Sequence, residues 1–166
     1  MHHRRTFLKI AAGSAAAALF PHAQAQSLPK PFVAYDDELK NGWENWSWAK
    51  VTLSVPAGGA KPVKVMGDPW AALSLHHAAF STEGFSKLTF NINGGAEGGQ
   101  KLVVKAMVDG KAVDSTFFIQ PKPKSWALVE VPLKDINAAG KTIDGFIIQG
   151  QESAFSAFYV TRMQFE

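Results

Sequence analysis

The sequence contains no cysteine. This absence excludes disulfides, which hold many small exported domains together, and it excludes thiolate metal sites. The sequence also lacks an apolar run long enough to cross a membrane, because the longest, from Ile10 to Phe20, has about eleven residues and a helical span needs about 20. Beyond that run, no segment keeps the 3.6-residue apolar period of an amphipathic helix over three turns. We therefore expect a fold whose stability comes from a buried β-sheet core.

The first 25 residues have the layout of an export signal. A basic start is followed by the apolar run and by Ala23-Gln24-Ala25, the small-x-small pattern at which signal peptidase cleaves. The segment Arg4-Arg5-Thr6-Phe7-Leu8-Lys9 resembles the twin-arginine (Tat) signal Arg-Arg-x-Phe-Leu-Lys, and only His3 departs from it, where Ser or Thr is usual. The resemblance implies a bacterial precursor that folds before the Tat export machinery carries it to the periplasm or the medium.

Removal of this signal changes the charge of the protein. The chain has 17 basic and 14 acidic residues, and the signal holds Arg4, Arg5 and Lys9 but no acidic residue, so 14 of each sign remain. With a formal net charge of zero, binding to nucleic acid or to anionic membranes through a basic surface loses its main support. We therefore predict neither nucleic acid nor, after signal cleavage, a membrane as a partner. The remaining chain, about 141 residues, is long enough for one well-buried domain.

Short stretches of alternating polarity recur along the mature chain, with Gly, Pro and Asn between them. Val51, Leu53 and Val55 alternate in this way, and Asp109-Gly110 lies between two such stretches as a strong hairpin signal. After a short tether, 26–31, we predict a single domain, 32–166, with about nine to eleven strands. The pattern indicates an all-β fold, namely an antiparallel β-sandwich of jelly-roll type.

Three of the five tryptophans stand within 43–48, a segment we call the tryptophan block. If the alternation of the following strand continues backwards, Trp46 and Trp48 point outward while Ser47 and Ala49 face the core. Trp43 falls in the preceding loop and is a candidate plug for one end of the sandwich. Exposed indoles beside polar groups suit a sugar, which has an apolar C–H face and hydrogen-bonding hydroxyls. The alternative is a corner in which the indoles only fill the end of the core.

A second group of candidate ligand-binding residues lies on one strand. Trp70, Ser74 and His76 share one side, and the other side of that strand is apolar. A sugar could lie against Trp70 while Ser74 and His76 reach its hydroxyls, or Trp70 could cap the edge of the sandwich and His76 could be solvated. Trp126 could join the tryptophan block on one aromatic surface, or it could close the core. We include Trp126 and Trp43 among the candidate carbohydrate-binding residues.

The residue patterns of other chemistries are weak or missing. His76 and His77 are the only histidines after the signal, and as neighbours on a strand they point to opposite faces, which disfavours zinc or copper. Glu44 with Asp36 or Asp37 could supply the two carboxylates of a glycosidase. The sequence has no nucleophile elbow, catalytic triad or phosphate-binding loop. We predict a protein that is not an enzyme and that needs no organic cofactor.

Six segments of the chain form a familiar combination: 35–37, 42–49, 73–77, 88–95, 126–133 and 158–160. Together they resemble carbohydrate-binding-module-like jelly-roll domains, with a galactose-binding-like sandwich, that are attached to exported bacterial glycoside hydrolases and cell-wall proteins. The resemblance covers nearly all of the mature chain, and the tryptophan block is its most specific part. It implies a non-catalytic protein that recognises a polysaccharide or cell-wall glycan through its tryptophans.

The resemblance also suggests a site for a structural calcium ion. In related sandwiches an acidic residue after the final Tyr-Val joins an acidic pair near the first strand to hold it. Here Thr161 and Arg162 stand at that point. Asp36 and Asp37, together with Glu38, could still supply the oxygen ligands that calcium prefers. Alternatively, Arg162 forms a salt bridge with Asp36 or Asp37.

Two other functions stay open at this point. The same sandwich could be a structural or protein-interaction domain of the periplasm, in which a homodimer covers the tryptophans. It could also be a small polysaccharide-acting enzyme, in which Glu44 and an aspartate face each other across a groove.

Overall fold

A computed structural model describes residues 27–166, so the export signal, 1–25, lies outside the described residues. Residues 27–166 form thirteen β-strands and one turn of 3-10 helix, Leu133–Ile136, and no helix among them is long and apolar enough to cross a membrane. The strands are β1 Phe32–Asp36, β2 Glu38–Leu39, β3 Glu44–Asn45, β4 Lys50–Thr52, β5 Val63–Gly67, β6 Ala72–Ser81, β7 Lys87–Asn93, β8 Leu102–Val108, β9 Lys111–Ala112, β10 Phe117–Ile119, β11 Trp126–Pro132, β12 Thr142–Gly150 and β13 Phe155–Phe165.

The strands form two antiparallel sheets, which confirms the predicted antiparallel β-sandwich. The seven-stranded sheet has the order β11-β7-β13-β1-β2, and β5 also pairs with β13 and with β4. The long strand β13 pairs with both β5 and β1: its first half pairs with β5 and its end pairs with β1. The six-stranded sheet has the order β10-β8-β12-β6-β3, and β9 also pairs with β8.

Local sequence signals set some of these elements. Val108 and Lys111 pair across the Asp109-Gly110 turn, where φ is 52° and 71°. Positive φ at both central residues is the geometry of a type I′ hairpin, which favours Asp-Gly. The structure has more strands than the predicted nine to eleven, since β2, β3 and β9 have only two residues each. A pattern of alternation needs about four residues and does not detect strands this short.

The strand predicted over 51–55 ends early. Strand β4 stops at Thr52, and Ser54 has a φ of 56°, which breaks the extended backbone. Ser54 is fixed in this conformation because its backbone N–H donates to the Tyr35 hydroxyl (3.0 Å) and its own hydroxyl donates to the Asp37 carbonyl (2.7 Å). Val51 and Leu53 are partly buried against the core, as the alternation predicts.

The core between the sheets is rich in aromatic rings. Trp43 is only 4% exposed, and its indole stacks on Phe165 with ring centroids 5.9 Å apart and planes 16° apart. Phe146 and Phe80 meet the same indole edge-on. Trp43 therefore occupies the position of a plug that the sequence suggested. Its burial contradicts the inclusion of Trp43 among the ligand-binding residues, because no ligand on the surface can reach it.

Candidate functional site

Trp46 and Trp48 lie on the outer face of the six-stranded sheet, on the segment that extends β3 along β6. The Trp46 N–H donates to the Ser74 carbonyl (2.9 Å) and the Trp48 N–H donates to the Ala72 carbonyl (3.1 Å). Because alternate residues of an extended segment point to the same side, both indoles project outward. They are 49% and 54% exposed, in agreement with the outward orientation expected from the sequence.

The orientation of the Trp46 ring is set by two neighbours. Its indole stacks on the His76 imidazole, with ring centroids 3.4 Å apart and an interplanar angle of 7°, and its Nε1–H donates to Glu44 Oε2 (2.9 Å). The imidazole covers one face of the indole. The Trp46 side chain as a whole is still about half exposed.

His76 lies between two carboxylates. Its Nδ1 is 3.9 Å from Glu44 Oε2, and its Nε2 is 3.8 Å from Asp144 Oδ2, so neither contact is a hydrogen bond. Asp144 Oδ2 instead accepts from the Gly110 N–H (2.7 Å). Within the part of the chain that the structure describes, His76 Nδ1 and Asp144 Oδ1 are buried without a hydrogen-bond partner. Both atoms are inaccessible from the surface, so the exposed polar group beside Trp46 is the Glu44 carboxylate, whose side chain is 63% exposed.

Trp70 is displayed on a strained backbone. Its φ is 66°, in the left-handed region, where a residue other than glycine costs about 1–2 kcal/mol. Three hydrogen bonds hold it there, because its N–H donates to the Gln151 carbonyl (2.9 Å) while its own carbonyl accepts from Trp48 Nε1 (2.9 Å) and Gln149 Nε2 (2.9 Å). The side chain that results is 53% exposed. Backbone strain of this kind persists at functional positions when the surroundings enforce it.

Trp48 and Trp70 line the same cleft. Its volume is about 870 Å³, within the range of about 300–1,000 Å³ that is usual for small-molecule sites. Met66 and Phe155 add apolar wall, and the charged residues in the lining are Lys50 and Asp68. We use the term indole surface for Trp46, Trp48 and Trp70 together. It combines three exposed rings with nearby charged and polar groups.

Two further residues predicted for the site lie elsewhere. Ser74 belongs to the correct strand but is buried, because Ala72, Met107 and Ile147 form a small apolar cluster on that face and the Ser74 hydroxyl lies 3.3 Å from Met107 Sδ. Trp126 is 46% exposed, but it pairs with Asn93 in the seven-stranded sheet, on the opposite side of the sandwich. It therefore neither joins the tryptophan block nor closes the core.

The acidic cluster near β1 does not gather into a metal-binding arrangement. Asp37 Oδ1 accepts from the Lys61 N–H (2.7 Å), and Glu38 pairs with Lys40. The hydrogen bond from Lys40 holds the pKa of Glu38 below its ordinary value, and the same bond raises the pKa of Lys40. Over 27–166 no three His, Cys, Asp or Glu side chains are arranged so that they could hold a metal ion, and Arg162 forms no salt bridge. Calcium at Asp36 and Asp37 stays a prediction.

Sequence reasoning missed two residues of this region. Asp144 reaches His76 from β12, and Phe155 reaches the cleft from the start of β13. Neither carries a local motif, so only the pairing of distant strands reveals them.

Comparison with known proteins supports both the signal and the fold. Residues 1–21 match the family model of the TAT (twin-arginine translocation) pathway signal sequence, which confirms the predicted export signal. Among curated proteins, an endoglucanase of Dictyostelium discoideum is 26% identical over 127 residues, which are 69% of this chain but 18% of that enzyme. The chain thus spans less than a fifth of the length of that relative.

Similar solved structures include carbohydrate-binding modules of family 29. One structure of a family 29 module superposes with a TM-score of 0.59 at 15% identity, covering 80% of this chain and 85% of that one. A variant in complex with cellulohexaose gives a TM-score of 0.59 at 15% identity, with coverage of 80% and 87%. A variant in complex with mannohexaose gives 0.58 at 13%, with coverage of 80% and 88%. The protein therefore has the β-sandwich fold of these modules.

Proposed function

We propose that the protein is exported to bind a polysaccharide or cell-wall glycan without catalysis, by laying sugar rings against the indole surface. The Tat signal accounts for export, with the Tat machinery as the partner of the precursor and the periplasm or the medium as its destination. The fold similarity to carbohydrate-binding modules supports the glycan as ligand.

The observation that carries the proposal is the display of Trp70. A bulky aromatic residue in a left-handed conformation is unfavourable, and an indole that is half exposed to water adds little to the core. Three hydrogen bonds nevertheless fix Trp70 beside Trp48 at the rim of a cleft of ligand size. A rigid aromatic wall is what stacking against a sugar ring requires.

The spacing of the rings favours a chain of sugars over a single sugar. Trp46 and Trp48 are two residues apart on an extended segment, hence about 7 Å apart along it. Trp70 lies beside Trp48, because Trp48 Nε1 donates to the Trp70 carbonyl and both residues line the same cleft, so it adds a further aromatic ring to the contact. The exposed Glu44 carboxylate beside Trp46 and the charged residues of the cleft are available to sugar hydroxyls.

Retention on insoluble polysaccharides tests the proposal. The panel is cellulose, mannan, xylan, chitin and peptidoglycan, and the first two are included because neighbouring structures hold cellulohexaose and mannohexaose. We expect retention on at least one, weakened about 30-fold in Trp48→Ala and Trp70→Ala, since a central aromatic contact contributes about 2 kcal/mol. Trp126→Ala is the matched control, because it removes an equally exposed indole from the opposite sheet. A folded protein that no polysaccharide retains would contradict the proposal.

One observation bears on an enzymatic function. Glu44 and Asp144 lie on opposite sides of the His76 imidazole, and the two catalytic carboxylates of a glycosidase likewise lie on opposite sides of the bond that is cleaved. The imidazole itself fills the space between them, where a glycosidic bond would have to lie. We therefore assign these carboxylates to binding. Release of reducing sugar that disappears in Glu44→Gln would show that the chain is an enzyme.

A second candidate function is protein interaction through the seven-stranded sheet. Trp126 and Leu128 project side by side from its outer face, and Leu128 is 64% exposed. An exposed apolar pair of this kind fits a contact with another protein. Light scattering tests for a dimer, and Leu128→Glu should dissociate it if this face is covered.

A further inference from the structure

One strand at the rim of the seven-stranded sheet is open along its whole length. Among residues 27–166, β11 pairs only with β7, and its seven residues run without a bulge. The other edge strands of the described chain, β2, β3, β4, β9 and β10, have only two or three residues each. Short edge strands protect a sheet, because unpaired backbone groups on a long edge recruit another strand. Strand β11 lacks this protection.

The backbone groups that face the open side belong to alternate residues of β11. The Leu133 N–H continues the register of β11 with β7 and donates to the Ser86 carbonyl (2.9 Å). The next residue, Lys87, instead exchanges both backbone hydrogen bonds with Glu166, at the end of β13 (3.1 and 2.9 Å). Because bonding direction alternates along an antiparallel strand, the odd-numbered residues of β11 bond to β7. The N–H and C=O groups that point away from β7 are those of Trp126, Leu128 and Glu130.

The side chains around this edge are uncovered on both faces of the strand. Trp126 and Leu128 project from the outer face and are 46% and 64% exposed. Ala127 is exposed as well, although its parity directs it towards the core, where Val131 is fully buried. An apolar edge that is open on both faces and has unpaired backbone groups is suited to the addition of a strand.

We propose that β11 pairs antiparallel with β11 of a second copy of this chain, so that the two seven-stranded sheets become one continuous sheet. Leu128 then lies opposite Leu128 of the second copy, and Trp126 lies opposite Glu130 of the second copy. In this register every outward N–H group of the strand donates to a carbonyl of the second copy.

The composition of β11 favours this self-pairing register. Pro132, which has no N–H to donate, falls outside the paired segment. A register centred on Glu130 would oppose two like charges, whereas here each carboxylate lies beside an indole. Glu130 is 54% exposed even in its ion pair with Lys87, so its carboxylate can also accept from the indole N–H of Trp126. The strand is therefore complementary to itself.

The dimer has a consequence that rests on the glycan function proposed above. Residues opposite each other in a ladder project to the same face, so the two copies turn their outer faces the same way. Both indole surfaces lie on the other side of the sandwich and also face one way. One polysaccharide surface could then contact both copies, which raises the overall affinity without any new contact.

Amide hydrogen exchange, followed by nuclear magnetic resonance on the protein purified after export, tests the edge without any glycan. Protection of the Trp126, Leu128 and Glu130 amides should rise with protein concentration, while the amides of 127, 129 and 131 are protected throughout. Sedimentation over the same concentrations should show a dimer. A monomer at every concentration overturns the proposal. So does a dimer without this alternation, which would pack through the sheet face, or protection that is independent of concentration, which would place a strand of the same chain on the edge.

Leu128→Pro and Leu128→Ala form a matched pair of variants. Both remove the leucine side chain, but only proline removes the outward N–H, and neither change removes a bond to β7. The dimer of Leu128→Pro should dissociate about 30-fold more readily than that of Leu128→Ala, because one hydrogen bond is lost from each copy. Equal dissociation constants would overturn the edge pairing. Because no glycan is present, failure of the dimer is distinguishable from failure of glycan binding, which retention on polysaccharides measures.

Discussion

Replacement of Trp70 by glycine and by alanine should separate backbone strain from ligand binding. Both changes remove the same exposed indole, but only glycine adopts a φ of 66° without steric cost. The left-handed conformation costs an alanine about 1–2 kcal/mol, and the greater freedom of glycine in the unfolded chain offsets about 0.5–1 kcal/mol of that. We therefore expect Trp70→Gly to be more stable than Trp70→Ala by about 1 kcal/mol, or about 3–5 °C in Tm for a domain of this size.

Differential scanning calorimetry measures this difference, and Trp126 supplies the control. Trp126 lies within the regular ladder between β11 and β7, where glycine in a strand is less stable than alanine. The order of stability should therefore reverse at that position. An alanine variant at Trp70 as stable as the glycine variant would refute the strain, and with it the argument that Trp70 is held in place for function. Both Trp70 variants should lose glycan retention.

Three further predictions concern the surroundings of the site and the core. His76→Ala should weaken glycan binding about fivefold in calorimetric titration, because Trp46 loses a stacking partner worth about 1 kcal/mol, and unchanged affinity would contradict this role. Trp43→Ala should lower the free energy of unfolding by about 3–5 kcal/mol in denaturant titration, and a small loss would contradict its place in the core. Hydrogen bonds from Gln164 and other groups hold the pKa of Glu166 below its ordinary 4.5, so its stabilisation is present above that pH and is lost as the pH falls through the lowered pKa. Glu166→Gln should therefore reduce the fall in Tm between about pH 6 and about pH 3, and an equal fall in both proteins would contradict the coupling.

Local patterns predicted much of the fold, because antiparallel sandwiches are built from short strands and tight turns. The Asp109-Gly110 hairpin follows from two residues whose conformational preference is local. The outward orientation of Trp46 and Trp48 follows from period-two alternation. The reason is different from the one the sequence suggested, because no single strand runs back from Val51: the backbone bends at Trp48 and Ala49 before β4, which belongs to the other sheet. The N–H groups of Trp46 and Trp48 instead pair with β6.

The candidate site was less accessible to sequence reasoning, because alternation gives the side of a strand but not what covers that side. Ser74 has the outward parity, yet neighbouring strands bury it beside Met107. Trp126 has an outward parity too, but on the other sheet, and no local signal assigns a strand to a sheet. Asp144 enters the site through the packing of distant strands.

Retention on the polysaccharide panel, compared among Trp48→Ala, Trp70→Ala and Trp126→Ala, tests the central claim most directly. If the indole surface binds a glycan, the unaltered chain is retained, the first two variants lose about 30-fold in affinity, and the third is retained like the unaltered chain. Equal retention of all three variants, or loss of retention only in Trp126→Ala, would contradict the assignment of the glycan site to Trp46, Trp48 and Trp70.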